Sequence, residues 1–207
     1  MTGVLAIAGA GGHGRVIADA ALECGWHEVV FFDDRFPHLV STLEWPVLGT
    51  FADFLGNVSR FKGVAVGIGD GRARLSILDR LAERDAPVIT IVHPHAWVSS
   101  RAKLGAGCMI SAGAIINVGA QIGRGAIVNT GATVDHDCRV GPGVHVAPGA
   151  HISGSVEIGA NSWIGVGASI RQGICIGSGV IVGAGAAVVS DLPDDVVAVG
   201  VPARVRN

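Results

Sequence analysis

Tyrosine is absent from this 207-residue chain, and only 15% of its residues are charged. A chain so apolar and so poor in charge is not a disordered one. It also lacks a basic surplus: the formal net charge is −2, which leaves no cationic face for nucleic acid. No run approaches the roughly 20 apolar residues of a membrane span, so no membrane insertion is expected. The apolar N-terminus is broken by Gly9, Gly11, Gly12 and Gly14, and Arg15, Asp19 and Glu23 follow it. A signal peptide carries its charge first. The four cysteines (Cys24, Cys108, Cys138 and Cys175) show no ligand spacing. Two of them hold positions otherwise filled by Ala and read as small buried side chains. These absences fit a reducing compartment and imply a cytoplasmic protein.

Glycine, by contrast, is abundant, and so is order of period six. Starting at Val98, every sixth residue is Val98, Leu104, Ile110, Ile116, Ile122, Val128, Val134, Val140, Val146, Ile152, Ile158, Ile164, Ile170, Ile176, Val182 and Val188. Val, Ile and Leu make up 58 of 207 residues, so chance gives such a run in one chosen frame about once in 10⁹ trials. Four residues after each aliphatic comes a small or modest side chain, as at Ala102, Cys108, Ala114, Ala120, Ala126, Ala132 and Cys138. Gly often precedes it. Period six suits neither an amphipathic helix nor a hairpin meander. It suits a coil of short straight faces, each giving one aliphatic to a narrow core and turning at a Gly-rich corner. Three faces make an 18-residue turn, so residues 98–188 span about five turns that bury their edges only by stacking.

Residues 1–92 lack this register and read as a separate α/β domain; residues 93–207 hold the coil and a C-terminal tail. Val4 to Ala8 is a strand, followed by Gly9-Ala10-Gly11-Gly12-His13-Gly14 and a helical stretch from Arg15 to Cys24. Val29 to Phe32 is a second strand ending in Asp33-Asp34, and Lys62 to Gly67 a third. A helix with Leu75, Leu78, Leu81 and Ala82 on one face follows, then a fourth strand, Val88 to Val92. Alternating strands and helices predict a small Rossmann-like parallel sheet. A glycine-rich strand-to-helix turn can receive a phosphate on backbone N–H groups, or it can be a tight structural turn. Acidic residues ending the second strand are placed for ribose hydroxyls or a base edge. The motif ends GGHG and the domain is too short for a full dinucleotide fold, which favours a mononucleotide or nucleotide-sugar over NAD.

The order of parts resembles the sialic-acid O-acetyltransferase-like group of hexapeptide-repeat acyltransferases. That group includes N-acetyltransferases for nucleotide-linked amino sugars of the bacillosamine and perosamine type. The resemblance rests on Gly9–Gly14, Asp33-Asp34, Pro46-Val47-Leu48-Gly49, Asn129-Thr130-Gly131-Ala132, Asp135-His136-Asp137-Cys138, Ser162-Trp163-Ile164-Gly165-Val166-Gly167-Ala168 and Gly200-Val201-Pro202-Ala203. It implies a left-handed parallel β-helix, against the usual right-handed rule, and a homotrimer with sites between subunits. It implies acetyl-CoA as co-substrate, no metal, and a nucleotide-amino-sugar as partner. By position, His136 would be the general base and Asp137 its carboxylate. Gly11, Gly12, His13, Asp33, Asp34 and Gly67 would meet the nucleotide-sugar. His145, Gly154, Val166 and Ala184 would meet acetyl-CoA.

Imidazole, with an ordinary pKa near 6.5, suits removal of a proton from an attacking amine or hydroxyl at neutral pH. The cluster Asp135-His136-Asp137 stands out in a charge-poor coil; its bland reading is a solvated corner. His145 lies nine residues from His136, half an 18-residue turn, so within one chain the two project from opposite sides. His151 reads as ordinary surface, Trp97 and Trp163 as packing residues. Arg204 and Arg206 read as solvated charges or as contacts for CoA phosphates. Three other functions compete: sugar O-acetylation, a γ-carbonic-anhydrase-like zinc site drawing on His136, His145 and His151, and a non-catalytic assembly partner.

Overall fold

A computed structural model describes residues 3–206. β1 (Val4–Ala8), α1 (Gly12–Glu23) and β2 (Glu28–Phe32) open the chain. A small hairpin, β3 (Ser41–Thr42) with β4 (Trp45–Pro46), leads to α2 (Phe51–Asn57), then β5 (Gly63–Val66) and α3 (Gly71–Ala82). The sheet is parallel in the order β2-β1-β5, with β1 in the centre. Its strands are near-continuous apolar runs because both faces are covered. α1 packs on one side with Ile17, Ala18 and Ala21, and α2 and α3 on the other with Phe54, Leu78 and Leu81.

The expected fourth strand is divided. Val88 makes only an isolated bridge to Val64. Three residues later β6 (Ile91–Val92) pairs in parallel with Met109-Ile110, as the first rung of the coil. Val92 stands six residues before Val98, so the repeat begins one step earlier than its aliphatic ladder suggests.

From there two-residue strands recur every six residues. They stack with partners 18 apart, as Ile115 on Thr133 and Thr133 on His151, into three parallel sheets. The first face begins at Trp97, the second at Lys103, and the third holds β6 and the rungs at Met109, Ile127, His145, Trp163, Ile181 and Val197. The coil makes about six turns. In each strand the first side chain points out and the second in: Ile110, Ile116, Val128, Val134, Val146, Ile152 and Ile164 are almost wholly buried. The small residues of the repeat, Cys108 and Cys138 included, fill the corners of that core. The last turn is two residues short, Val197 pairing with Ile181. An antiparallel Arg204–Val205 strand and buried Ala203 then close the end.

The corner position that follows the inward aliphatic by three residues carries a left-handed backbone. Glycine fills it at eleven corners from Gly107 to Gly185, with φ between +62° and +74°. Over that span Asp137, Ser155 and Asn161 are the non-glycine exceptions, at φ +58°, +59° and +59°, and Asp195 follows at φ +55° in the shortened last turn. A left-handed backbone costs an L-residue about 1–2 kcal/mol, so a side chain kept there needs a reason.

The α/β domain sits against the third face, where Met109 and Ile127 join the cluster formed by α1 and the sheet. Its α3 lies along the edge between the second and third faces. The Leu78 side chain there approaches Gly107 and Gly125, and Leu75 approaches Gly125 and Gly143. A Cβ on Gly71 would stand 2.4 Å from the Gly143 carbonyl oxygen. No helix among the described residues is long and apolar enough to cross a membrane.

Candidate functional site

The loops after β1, β2 and β5 meet at the carboxyl end of the sheet, beside its central strand, where open α/β sheets place ligands. They enclose a cleft of about 210 Å³ lined by Gly9, Asp33, Asp34, Phe51, Ile68 and Ile77. The glycines divide into two kinds. A Cβ on Gly14 would stand 2.0 Å from the Gly9 carbonyl oxygen, and one on Gly67 would stand 2.6 Å from Gly14 Cα. These two are demanded by packing. Gly11 and Gly12 have nothing within 4 Å of such a Cβ, and Gly11 has an ordinary φ of −82°. The fold therefore does not need glycine there; bare backbone at the uncapped start of α1 leaves room for a ligand to approach.

Asp33 accepts a hydrogen bond from the Ala10 amide at 2.9 Å and a forked pair from Arg35, Nε at 2.7 Å and Nη2 at 2.8 Å. The Arg35 contacts and the Ala10 amide, outweighing partial burial, hold its carboxyl well below the usual range. Asp33 thus braces the glycine-rich loop against β2. Asp34, exposed at the mouth of the cleft, accepts from the Phe51 amide at 2.9 Å.

His13 leans from the loop onto the coil. Its ring centroid is 6.3 Å from that of His145, which in turn packs at 4.1 Å on Trp163, one rung above. His145 is 7% exposed, and its Nε2 lies 3.0 Å from the Asn129 side-chain amide. Burial, then the charges of its neighbours His145 and Arg74, pushes the His13 imidazole down to about 3. Burial and then Arg74 push His145 down to about 4, with the Gly69 backbone offsetting part of the shift. Both are neutral at pH 7. Beside them a groove of about 680 Å³ is bounded by Asp70, Arg72, His145, Asn161, Trp163 and Ile181.

His136 stands on the edge between the first and second faces, with its side chain 54% exposed. Its Nδ1 is 2.9 Å from Asp137 Oδ2, its amide donates to Asp135 Oδ1, and Asn117 one rung below holds that same oxygen at 2.8 Å. Because a carboxylate only accepts, Nδ1 carries the proton and Nε2 presents its lone pair. The hydrogen bond that His136 donates to Asp137 raises the His136 pKa above 6.5, more than desolvation lowers it, with the Asp135 and Asp137 charges adding to the rise. A Cβ on Gly154, one rung above, would stand 2.5 Å from His136 Nε2. Gly154 therefore clears the space that the imidazole occupies.

The expected site residues are thus gathered in three places. Asp33 and Asp34 line the α/β cleft, Gly11, Gly12 and His13 lie beside it where the loop enters α1, Gly67 packs on Gly9 and Gly14, and His145 lies beneath His13. His136, Asp137 and Gly154 share one edge. Val166 and Ala184 are exposed on another, between the third and first faces. His136, His145 and His151 occupy an edge and two different faces and do not converge in one chain. A concavity of about 940 Å³ runs along the second face past Lys103, Arg139, Glu157 and Cys175 and holds none of the expected residues. Trp97 and Trp163 are exposed within the chain and are not core packing. Sequence reasoning passed over Phe51 and Arg74, which belong to neither the six-residue register nor a motif, and it quoted Asn129 within a motif without assigning it the contact with His145.

A phosphate-ready loop on a parallel sheet, joined to a three-sided coil that presents one braced imidazole, defines an acyltransferase of the hexapeptide-repeat class. The model of the PglD N-terminal domain matches residues 4–81. The acetyltransferase domain of PglB from Neisseria gonorrhoeae FA1090, in complex with acetyl coenzyme A, is 42% identical, with a TM-score of 0.94 over 98% of each chain. PerB from Caulobacter crescentus, in complex with CoA and GDP-perosamine, is 36% identical, with a TM-score of 0.94 over 100% of this chain and 99% of that one. WeeI from Acinetobacter baumannii AYE is 26% identical, with a TM-score of 0.90 over 98% of this chain and 99% of that one. Comparison with curated proteins gives no match. The chain belongs to the bacillosamine- and perosamine-type family of hexapeptide-repeat acetyltransferases, with their α/β domain and left-handed β-helix.

Proposed function

We propose that this protein transfers acetyl from acetyl-CoA to the amino group of a nucleotide-linked amino-deoxysugar, with His136 as general base and Asp137 assisting. The observation that carries the proposal is the His136 site: an exposed imidazole, its Nδ1 bound to Asp137 and its Nε2 in the space that Gly154 leaves clear. A neutral amine attacks the thioester carbonyl, and a C–N bond forms. His136 Nε2 takes the proton that the amine sheds, the C–S bond breaks, and the proton passes on to the departing CoA sulfur. Asp137 fixes the tautomer and stabilises the imidazolium. The gonococcal relative binds acetyl-CoA and the Caulobacter relative binds GDP-perosamine, which supports both substrates here.

The acceptor's nucleotide belongs in the cleft at Asp33, Asp34 and Gly67, with its diphosphate on Gly11 and Gly12 and its sugar beside His13. Within one chain the coil separates that place from His136, so the site is completed in a homotrimer. Exposed apolar side chains support the orientation: Trp97 and Ile115 lie on the first face, with Val118, Val166 and Val189 on its two edges. With the first face turned to the three-fold axis, the His136 edge of one subunit meets the Val166 and Ala184 edge of the next. Acetyl-CoA then lies between Gly154 on one side and Val166, Ala184 and His145 on the other. The four free cysteines suit a cytoplasmic setting.

The test is release of CoA thiol from acetyl-CoA with a panel of UDP-, GDP- and dTDP-linked amino sugars and, in parallel, free sialic acid. Release with at least one nucleotide amino sugar, abolished in His136→Ala, is expected. No release above hydrolysis with any of them, or a preference for the free sugar hydroxyl, overturns the proposal.

A further inference from the structure

Arg74 is 1% exposed, the most deeply buried charge among the described residues, and it makes no ion pair among them. Its guanidinium is held instead by four backbone carbonyls. Nη1 donates to Ile68 at 2.8 Å and to Gly69 at 2.7 Å, Nε to Gly125 at 2.5 Å, and Nη2 to Gly143 at 2.8 Å. Two of these acceptors belong to the turn between β5 and α3, and Ile68 lines the α/β cleft. The other two are successive corners of the coil, and Gly143 is two residues from His145. One side chain therefore joins the wall of the nucleotide cleft to the rung that carries His145.

An apolar side chain would leave those carbonyls without donors in a dry junction, at the full desolvation cost. A lysine has a single ammonium where guanidinium has a planar fork, and it cannot reach four acceptors on two sides. Burying a cation without a carboxylate is expensive, and here it depresses the Arg74 pKa to about 10, with nearby Asp70 opposing. Greasy contacts such as Leu75 and Leu78 already hold α3 to the edge. What Arg74 adds is direction: four hydrogen bonds from one rigid plane fix the angle between domain and coil.

We infer that Arg74 is a positioning residue for the acceptor: it sets the nucleotide cleft and the His13–His145 pair in register, while the acetyl-CoA contacts at Gly154, Val166 and Ala184, on the other two edges of the coil, do not depend on it. The inference rests on the reading above that the α/β domain holds the nucleotide-sugar. A misplacement near 1 Å far from the chemistry can cost up to about 100-fold in rate.

The test uses the full chain carrying Arg74→Met, with acetyl-CoA and each nucleotide amino sugar of the panel that the unaltered chain accepts. Expected are a rise of about tenfold or more in KM for the sugar, a KM for acetyl-CoA within about twofold, and partial rescue in Arg74→Lys. Hydrogen exchange without ligand gives a second readout. The amides of residues 68–72 and 143–146 should exchange faster, and rungs 150–188 should not change. If Arg74→Met fails to fold, Arg74→Lys carries both measurements, because it keeps the charge and loses most of the four contacts. Equal rises in both KM values, or unchanged exchange at residues 68–72, would overturn the inference. Should the unaltered chain accept no nucleotide amino sugar, the proposed function fails, and the exchange measurement still decides the role of Arg74.

Discussion

Asp137 holds its carboxylate 2.9 Å from His136 Nδ1 from a corner position where most turns of the coil place glycine, at φ +58°. The backbone conformation and the brace come together: a glycine would suit the corner and leave the imidazole without a partner. Of the corners where a side chain keeps this backbone, Asp137 is the one that braces an imidazole, and strain retained beside such a group is the pattern expected of a functional site.

Asp137→Gly should therefore separate stability from activity. Thermal unfolding should stay unchanged or rise by up to about 1 kcal/mol of stability, while acetyl transfer falls roughly 10- to 1,000-fold. Calorimetry beside the thiol-release assay measures both. A clear loss of stability with activity retained would mean that Asp137 serves the fold.

The pH dependence follows from the raised His136 pKa. The base must be neutral to accept a proton, so kcat/KM should fall as pH drops through a value above 6.5. Asp137→Asn removes the largest cause of the rise and should move this acid limb to lower pH. The alkaline plateau should also fall, because an amide no longer selects the tautomer. An unmoved limb would remove His136 from the proton transfer.

Gly154→Ala places a methyl 2.5 Å from His136 Nε2, and backbone on the neighbouring rung leaves the imidazole nowhere to go but outward. The backbone at Gly154 has an ordinary conformation, so stability should change by less than about 1 kcal/mol, while kcat falls about tenfold or more. Full activity in this variant would show that the position of the ring does not matter.

His13 and His145 predict an acid-labile junction. Their folded pKa values, about 3 and about 4, lie below the ordinary 6.5. Below pH 6.5 the unfolded chain gains protons that the folded chain refuses. Stability is thus full above pH 6.5 and is lost as pH falls towards 4 and then 3, by on the order of a few kcal/mol. Urea unfolding across this window should show a shallower pH slope in His145→Gln than in the unaltered chain. Identical slopes would contradict the burial of neutral imidazoles.

Much of this was legible because a repeat is local information used many times. Sixteen aliphatics in register fixed the coil, and its core holds them as expected. Its limits were less legible: Val92 already belongs to the register, but a strand ending there reads equally well as part of the α/β sheet. α2 and the Ser41–Pro46 hairpin were missed because seven- and two-residue elements carry too little periodicity. The glycine loop was found, but which glycines answer to packing appeared only when Gly9, Gly14 and Gly67 were seen to touch. Arg74 and Phe51 left no sequence signal, since a lone arginine on a helix normally faces solvent. His136 stood out for the opposite reason, as charge in a chain with little of it.

The central claim is that the reacting groups come from two subunits, His136 from one and the His145 side from its neighbour. Chains carrying His136→Ala and chains carrying His145→Ala, each inactive or nearly so alone, can be unfolded, mixed and refolded together. In a three-fold assembly an equal mixture should restore about one quarter of the sites, because a junction needs an intact His136 from one subunit and an intact His145 from its neighbour, and each is present in about half of the subunits. Recovery near that level is the expected result; no recovery at any mixing ratio would contradict the account.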